Sequence, residues 1–107
     1  MRIEILTFDG CPHGDATCEI VRQAVILEHA DAAVDLIDVP SAQAAQHLRF
    51  LGSPSVRVNG EDAEPAARAR TDYGLMCRTY HAGASLAGTP PIGLIRDAIR
   101  RALFEKR

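Results

Sequence analysis

Three cysteines and one histidine are the residues of this 107-residue chain whose types and spacing could do chemistry. Cys11 follows the Asp9–Gly10 break and precedes Pro12, at the point where a helix is expected to begin. Unpaired backbone N–H groups and the positive end of a helix dipole both favour the thiolate, which is the reactive form of cysteine. Cys11 is therefore the candidate nucleophile. His13 is close enough to add positive charge or to carry a proton, and an ordinary exposed histidine is the competing explanation. Cys18 lies seven residues after Cys11, which on one straight helix is ~10.5 Å along the axis. A disulfide needs Cα atoms within about 7 Å, so a Cys11–Cys18 bridge requires unwound first turns, which Gly14 permits. Otherwise Cys18 fills core space beside Val21 and Val25. Cys77 is a second candidate partner for Cys11, either in a disulfide or in holding a soft cation such as Hg²⁺, Cu⁺ or Zn²⁺. Burial as an ordinary small side chain is its alternative.

Other polar groups have plainer explanations. Asp9 either leads into the helix or accepts a proton near Cys11. Arg57 fits an exposed strand face, and Asn59–Gly60 fits a tight turn. His29, His47 and His81 are too scattered to show ligand spacing. No glycine-rich phosphate loop, paired-carboxylate site or Ser-His-Asp order stands out.

The elements that must position these residues follow from periodicity. Residues 2–8 form a short apolar run that reads as a strand covered on both faces. Residues 12–29 place Thr17, Ile20, Val21, Ala24 and Leu27 on one helical face, with Pro12 in the first turn and Asp15 as an alternative N-cap. Residues 33–39 read as a second strand. Ser41 then caps a helix over residues 42–51, which Gly52 stops at its C′ position. A third strand spans residues 53–58. Residues 61–73 are hard to place, residues 73–80 read as a fourth strand, and residues 82–89 read as a loop. Pro90–Pro91 opens a last helix running to about residue 105, with Ile92, Ile95, Ile99, Ala102 and Leu103 on one side. A helix joining the first two strands favours parallel pairing with a right-handed crossover, and the third strand and its partner fit an antiparallel pair. The expected fold is α/β, a mixed four-stranded sheet with flanking helices in the order βαβαββα, forming a single domain over residues 1–107.

Composition narrows the function classes. The chain is 47% hydrophobic and 24% charged, ample for one core. Twelve basic and fourteen acidic residues give a formal net charge of −2, which offers no footprint for nucleic acid or an anionic membrane. The basic cluster Arg96, Arg100, Arg101, Lys106 and Arg107 fits the negative end of a C-terminal helix dipole. The N-terminus lacks the long apolar stretch of an export signal, and nothing approaches the ~20 apolar residues of a membrane span. The expectation is a cytoplasmic, reducing compartment. An odd number of cysteines also argues against a framework of structural disulfides.

A strand ending in Gly10-Cys11-Pro12, a helix directly behind it and a Ser53-Pro54 opening the third strand together resemble the thioredoxin superfamily. Cys11-Pro12-His13-Gly14 stands where that superfamily keeps its Cys-x-x-Cys motif, and Ser53-Pro54 where it keeps its cis-proline. The segments Phe8-Asp9-Gly10-Cys11-Pro12, Gly52-Ser53-Pro54-Ser55-Val56-Arg57-Val58-Asn59-Gly60 and Tyr73-Gly74-Leu75-Met76-Cys77-Arg78 also resemble small bacterial thioredoxin-like proteins, some of them labelled as mercury-resistance or alkylmercury-lyase-related. The resemblance implies a thioredoxin-like sandwich with Cys11 as its catalytic residue, beside which His13 stands as the catalytic candidate that its closeness in sequence suggests. It also implies a substrate-binding surface at Pro12, Ser53 and Pro54, where the Ser53 backbone would pair with an extended substrate or glutathione. Gly14 replaces the resolving cysteine of a dithiol enzyme, so the motif is closer to monothiol glutaredoxins, which use glutathione or another small thiol.

Three functions fit these residues. The first is monothiol thiol-disulfide exchange through Cys11, with protein or low-molecular-weight thiols and disulfides as partners and no bound cofactor. The second is soft-metal capture by Cys11 with Cys77 or Cys18. The third is a non-catalytic binding module that uses the groove beside Pro54. Oligomeric state and substrate are left open by the sequence.

Overall fold

The computed structural model describes residues 1–105, so Lys106 and Arg107 of the basic cluster lie outside the described residues. The chain is α/β, with a mixed four-stranded sheet. Strand β1 (Arg2–Thr7) leads through helix α1 (Gly14–Leu27) to β2 (Ala33–Asp38), which pairs with β1 in parallel from Arg2↔Ala33 to Thr7↔Asp38. Helix α2 (Ala42–His47) returns the chain to β3 (Ser55–Val58), antiparallel to β1 with Ile3↔Val58 and Leu6↔Ser55. Asn59 and Gly60 both have positive φ, 52° and 84°. They make the tight turn into β4 (Glu61–Asp62), and the sheet order is β2-β1-β3-β4. A 3₁₀ turn (Pro65–Ala67), a separate hairpin of β5 (Tyr80–Ala82) and β6 (Ser85–Ala87), and helix α3 (Ile92–Glu105) complete the described chain.

The two faces of β1 enter two cores, as the continuously apolar stretch predicts. Ile3 and Ile5 join Val56 and Val58 of β3 beneath α1 and α3, where Val21, Ala24, Ile95 and Ile99 are buried. Leu6 turns to the other face, against Val39, Ala45 and Phe50 under α2. Ser41 caps α2 as its sequence suggests, its Oγ accepting from the Ala44 N–H at 3.0 Å.

Several expected boundaries shift. Helix α1 begins at Gly14, capped by His13 with no side-chain hydrogen bond, so Pro12 lies outside it and Asp15 lies in its first turn. Helix α2 ends at His47, and the residue in the left-handed conformation after its C-cap Leu48 is Arg49 (φ 55°), not Gly52. The Arg57 guanidinium steadies this end, donating to the carbonyls of Leu48 (2.7 Å) and Arg49 (2.9 Å). The fourth strand of the sheet is the two-residue β4, whereas residues 73–79 are irregular with one isolated bridge, Ser53↔Cys77. Residues 82–89, expected as loop, contain β6, and Gly83 (φ 66°) makes the hairpin turn. Arg96 and Arg100 do not serve the end of α3; both donate to the Glu28 carboxylate, at 2.6 and 2.7 Å.

Candidate functional site

Cys11 sits in the turn that carries β1 into α1. Its N–H donates to the Phe8 carbonyl at 3.1 Å, closing a turn through Asp9 and Gly10, whose φ of 88° suits glycine. The half-buried thiol lies two residues before the helix cap and hydrogen-bonds to no described residue. A helix dipole acts mainly over its first turn, so the N–H groups of α1 do not hold this sulfur directly. Cys11 opens into a cleft of about 320 Å³ walled also by Phe8, Leu36, Asp9, Asp15 and Asp38. Leu36 is 63% exposed, an apolar side chain on the outer strand of the sheet. The cleft thus offers three carboxylates and no basic side chain. His13 does not line it. The His13 ring lies against Gly88, where a Cβ would overlap it, and the His13 carbonyl accepts from both the N–H (3.1 Å) and the hydroxyl (2.8 Å) of Thr17.

Ser53 and Pro54 lie at the same end of the sheet, and the peptide bond between them is cis. The backbone of Ser53, expected to face an incoming substrate, is already paired within the chain. Its N–H donates to the Met76 carbonyl at 2.8 Å, and its carbonyl accepts from the Arg78 N–H at 3.0 Å. Cys77 stands between those two contacts with an exposed side chain. Residues 74–78 therefore form a strap across the cis-proline, anchored upstream by the Gly74 N–H on the Phe50 carbonyl (3.0 Å). Gly52, with φ 111°, admits the strap: a Cβ there would lie 3.0 Å from the Arg78 Cβ and 3.2 Å from the Met76 carbonyl oxygen.

The group that fastens the strap was not visible in the sequence. The Arg78 side chain is 2% exposed and grips Asp62 through both terminal nitrogens, at 2.7 and 2.9 Å. It also donates to Ser55 Oγ (3.0 Å) and Glu64 (3.2 Å), and its guanidinium lies 4.7 Å from the centre of the Tyr80 ring. The Tyr80 hydroxyl donates to the Pro54 carbonyl at 2.6 Å. Burial pushes the Tyr80 phenol well above its ordinary range, outweighing the neighbouring guanidinium. Only a carboxylate pair in β4 and the turn after it could have advertised this partner, and acidic residues in such a segment normally read as solvated surface.

Cys18 packs against the core beneath α1, beside Ile20 and Val25. Burial raises its thiol above the ordinary 9.0 despite Arg22 nearby. The folded state thus holds this proton more tightly than the unfolded chain. The resulting stability is complete below about pH 9 and is lost as pH rises through the folded-state value. Urea midpoints measured from pH 8 to 10.5 are expected to fall in this chain, and Cys18→Ala is expected to flatten that slope.

No family model, curated protein or solved structure matches this chain. Among the described residues, no group of three or more His, Cys, Asp and Glu side chains is arranged to hold a metal ion. No helix there is long and apolar enough to cross a membrane. A second cleft, of about 320 Å³, is lined by Arg49, Arg57, Arg68, Arg70 and Tyr73. Most of its charge is spent internally: Arg57 on the end of α2, Arg68 on Glu61 and Arg70 on Asp72.

Proposed function

We propose that this chain is a thioredoxin-like thiol-redox protein of the monothiol type, exchanging disulfides through Cys11. The observation that carries this reading is the shared location of Cys11 and the cis Ser53–Pro54 bond. One follows β1, the other precedes its antiparallel neighbour β3, and both stand at the same end of the sheet. The parallel β1–α1–β2 unit and α3 packed beside α1 are what a thioredoxin-like sandwich needs around such a centre. In the reaction, the Cys11 thiolate attacks one sulfur of a disulfide RSSR, forming Cys11–S–S–R and releasing RS⁻. An external thiol R′SH then attacks the substrate-derived sulfur, forming R–S–S–R′ and releasing the Cys11 thiolate, so that one thiol enters and one RSH leaves in each cycle.

The test uses 2-hydroxyethyl disulfide, a neutral reagent, at limiting concentration, with the first modified cysteine located by peptide mass spectrometry. Cys11 is expected to take up the mixed disulfide ahead of Cys18 and Cys77. Modification of Cys11 behind Cys77 would sink the reading.

The cleft's charge makes a second prediction. Cystamine, a dication, is expected to react with Cys11 roughly five- to tenfold faster than anionic glutathione disulfide at low ionic strength, each normalised to its rate with a free peptide of residues 3–22. The gap should close in 0.5 M salt (roughly a 4 Å Debye length) and narrow in Asp38→Asn. Equal normalised rates at low salt would show that the carboxylates do not steer the partner.

A further inference from the structure

We propose that Cys77 is the second thiol of this centre, resolving the Cys11 mixed disulfide in place of the cysteine absent at position 14. The proposal rests on the reading of Cys11 as the exchanging thiol and replaces that reading's external second thiol by one of the chain's own.

The backbone places Cys77 for this role. Leu6 pairs with Ser55, so continuing β1 and β3 by two residues brings Phe8 level with Ser53. The turn closed by the Cys11 N–H on the Phe8 carbonyl folds Cys11 back over that level. Cys77 is paired with Ser53 in a parallel bridge. Cys11 and Cys77 thus belong to segments level with the same cis-proline end of β3, the very place where the chain's own strap takes up the hydrogen bonds an extended substrate would otherwise use. Two buried donors are unused there. Ser53 Oγ and Arg78 Nε have no hydrogen-bond partner among the described residues, and they belong to the residue opposite Cys77 and the residue after it. Cys18 has neither advantage, being packed into the core under α1.

Both cysteines are free in the structure. The strap is pinned on either side of Cys77, at Met76 and Arg78, whereas Asp9 and Gly10 of the opposing turn are exposed. Bond closure therefore takes a movement of the 8–11 turn toward the strap. Once Cys11–S–S–R has formed, the Cys77 thiolate attacks the Cys11 sulfur and RS⁻ leaves. The products are Cys11–S–S–Cys77 and two RSH, with two electrons passed from the two protein thiols to RSSR and their two protons accounted for.

The experiment oxidises the full chain with 2-hydroxyethyl disulfide, quenches it in acid, alkylates it and maps tryptic peptides. Cys11 and Cys18 share the peptide of residues 3–22, and Cys77 lies in the peptide of residues 71–78. The expected product links these two peptides, with fragmentation placing the bond on Cys11, and it persists in Cys18→Ser. In Cys77→Ser the Cys11 mixed disulfide is expected to live at least about tenfold longer, because only external thiols remain to resolve it. A bond within residues 3–22, or a mixed disulfide equally long-lived with and without Cys77, overturns the proposal while leaving Cys11 as the exchanging thiol. No modification of Cys11 in any variant removes that reading as well.

Discussion

Arg78→Met is expected to lower the unfolding free energy by about 3–5 kcal/mol, read as a shift of the urea midpoint at unchanged slope. The size comes from what is left behind. Asp62 is 9% exposed, and Arg78 meets it through both terminal nitrogens. Methionine fills much of the guanidinium's stem volume but leaves a buried carboxylate without its cation, and it abandons Ser55 and Glu64 as well. An exposed ion pair such as Arg22–Glu19 is worth less than about 1 kcal/mol, so the two classes are separable by experiment. Replacing both members of the buried pair, as Arg78→Met with Asp62→Leu, is expected to recover most of the loss, because no uncompensated charge then remains. Arg78→Lys should recover little, since an ammonium cannot reproduce the two-pronged grip. A single-variant cost below about 1 kcal/mol would show that Asp62 finds water instead, and that the strap is fastened by its backbone alone.

The sequence made the sheet and its helices legible because their signals are local. Alternation in β1 and β3, the Ser41 cap, the Asn59–Gly60 turn and the helical stripe of α1 each act within a few residues, and each appears in the structure. The strap was misread as a strand for an equally physical reason. Residues 73–80 carry the aromatic and apolar residues of a strand, but within the described residues 73–79 pair in sheet fashion only through Cys77 with Ser53, beside a cis bond, and Tyr80 opens the separate β5–β6 hairpin. Such a partner leaves no periodicity. β4 is two residues long and equally silent. Arg78 reaches carboxylates 14 and 16 residues upstream, and a lone arginine gives no hint of burial. The site was half visible. Cys11 and Ser53–Pro54 stood out by spacing and resemblance, whereas the occupation of the Ser53 backbone and the acidic walls from β2 and α1 depend on pairing between distant strands.

Gly52 looked in sequence like the stop of α2, and its real duty makes a sharper prediction. Gly52→Ala is expected to destabilise the chain by about 2–4 kcal/mol through two additive causes. A residue with a Cβ at φ 111° is held in a sparsely populated conformation, at a cost of about 1–3 kcal/mol. The new Cβ also meets the Arg78 Cβ at 3.0 Å and the Met76 carbonyl at 3.2 Å. Those atoms belong to the stretch hydrogen-bonded to Ser53, which cannot yield without breaking that bridge. Gly60 supplies the control: its φ is 84° but nothing lies within 4 Å of a Cβ, so Gly60→Ala carries strain alone. The difference between the two variants isolates the cost of pushing the strap away. Amide exchange gives the local readout, with the Ser53 and Arg78 N–H groups losing protection in Gly52→Ala and keeping it in Gly60→Ala. Equal costs and intact protection would mean that the strap tolerates the methyl group. Lost protection together with slower Cys11–Cys77 bond formation would tie the glycine's missing side chain directly to the placement of the second thiol.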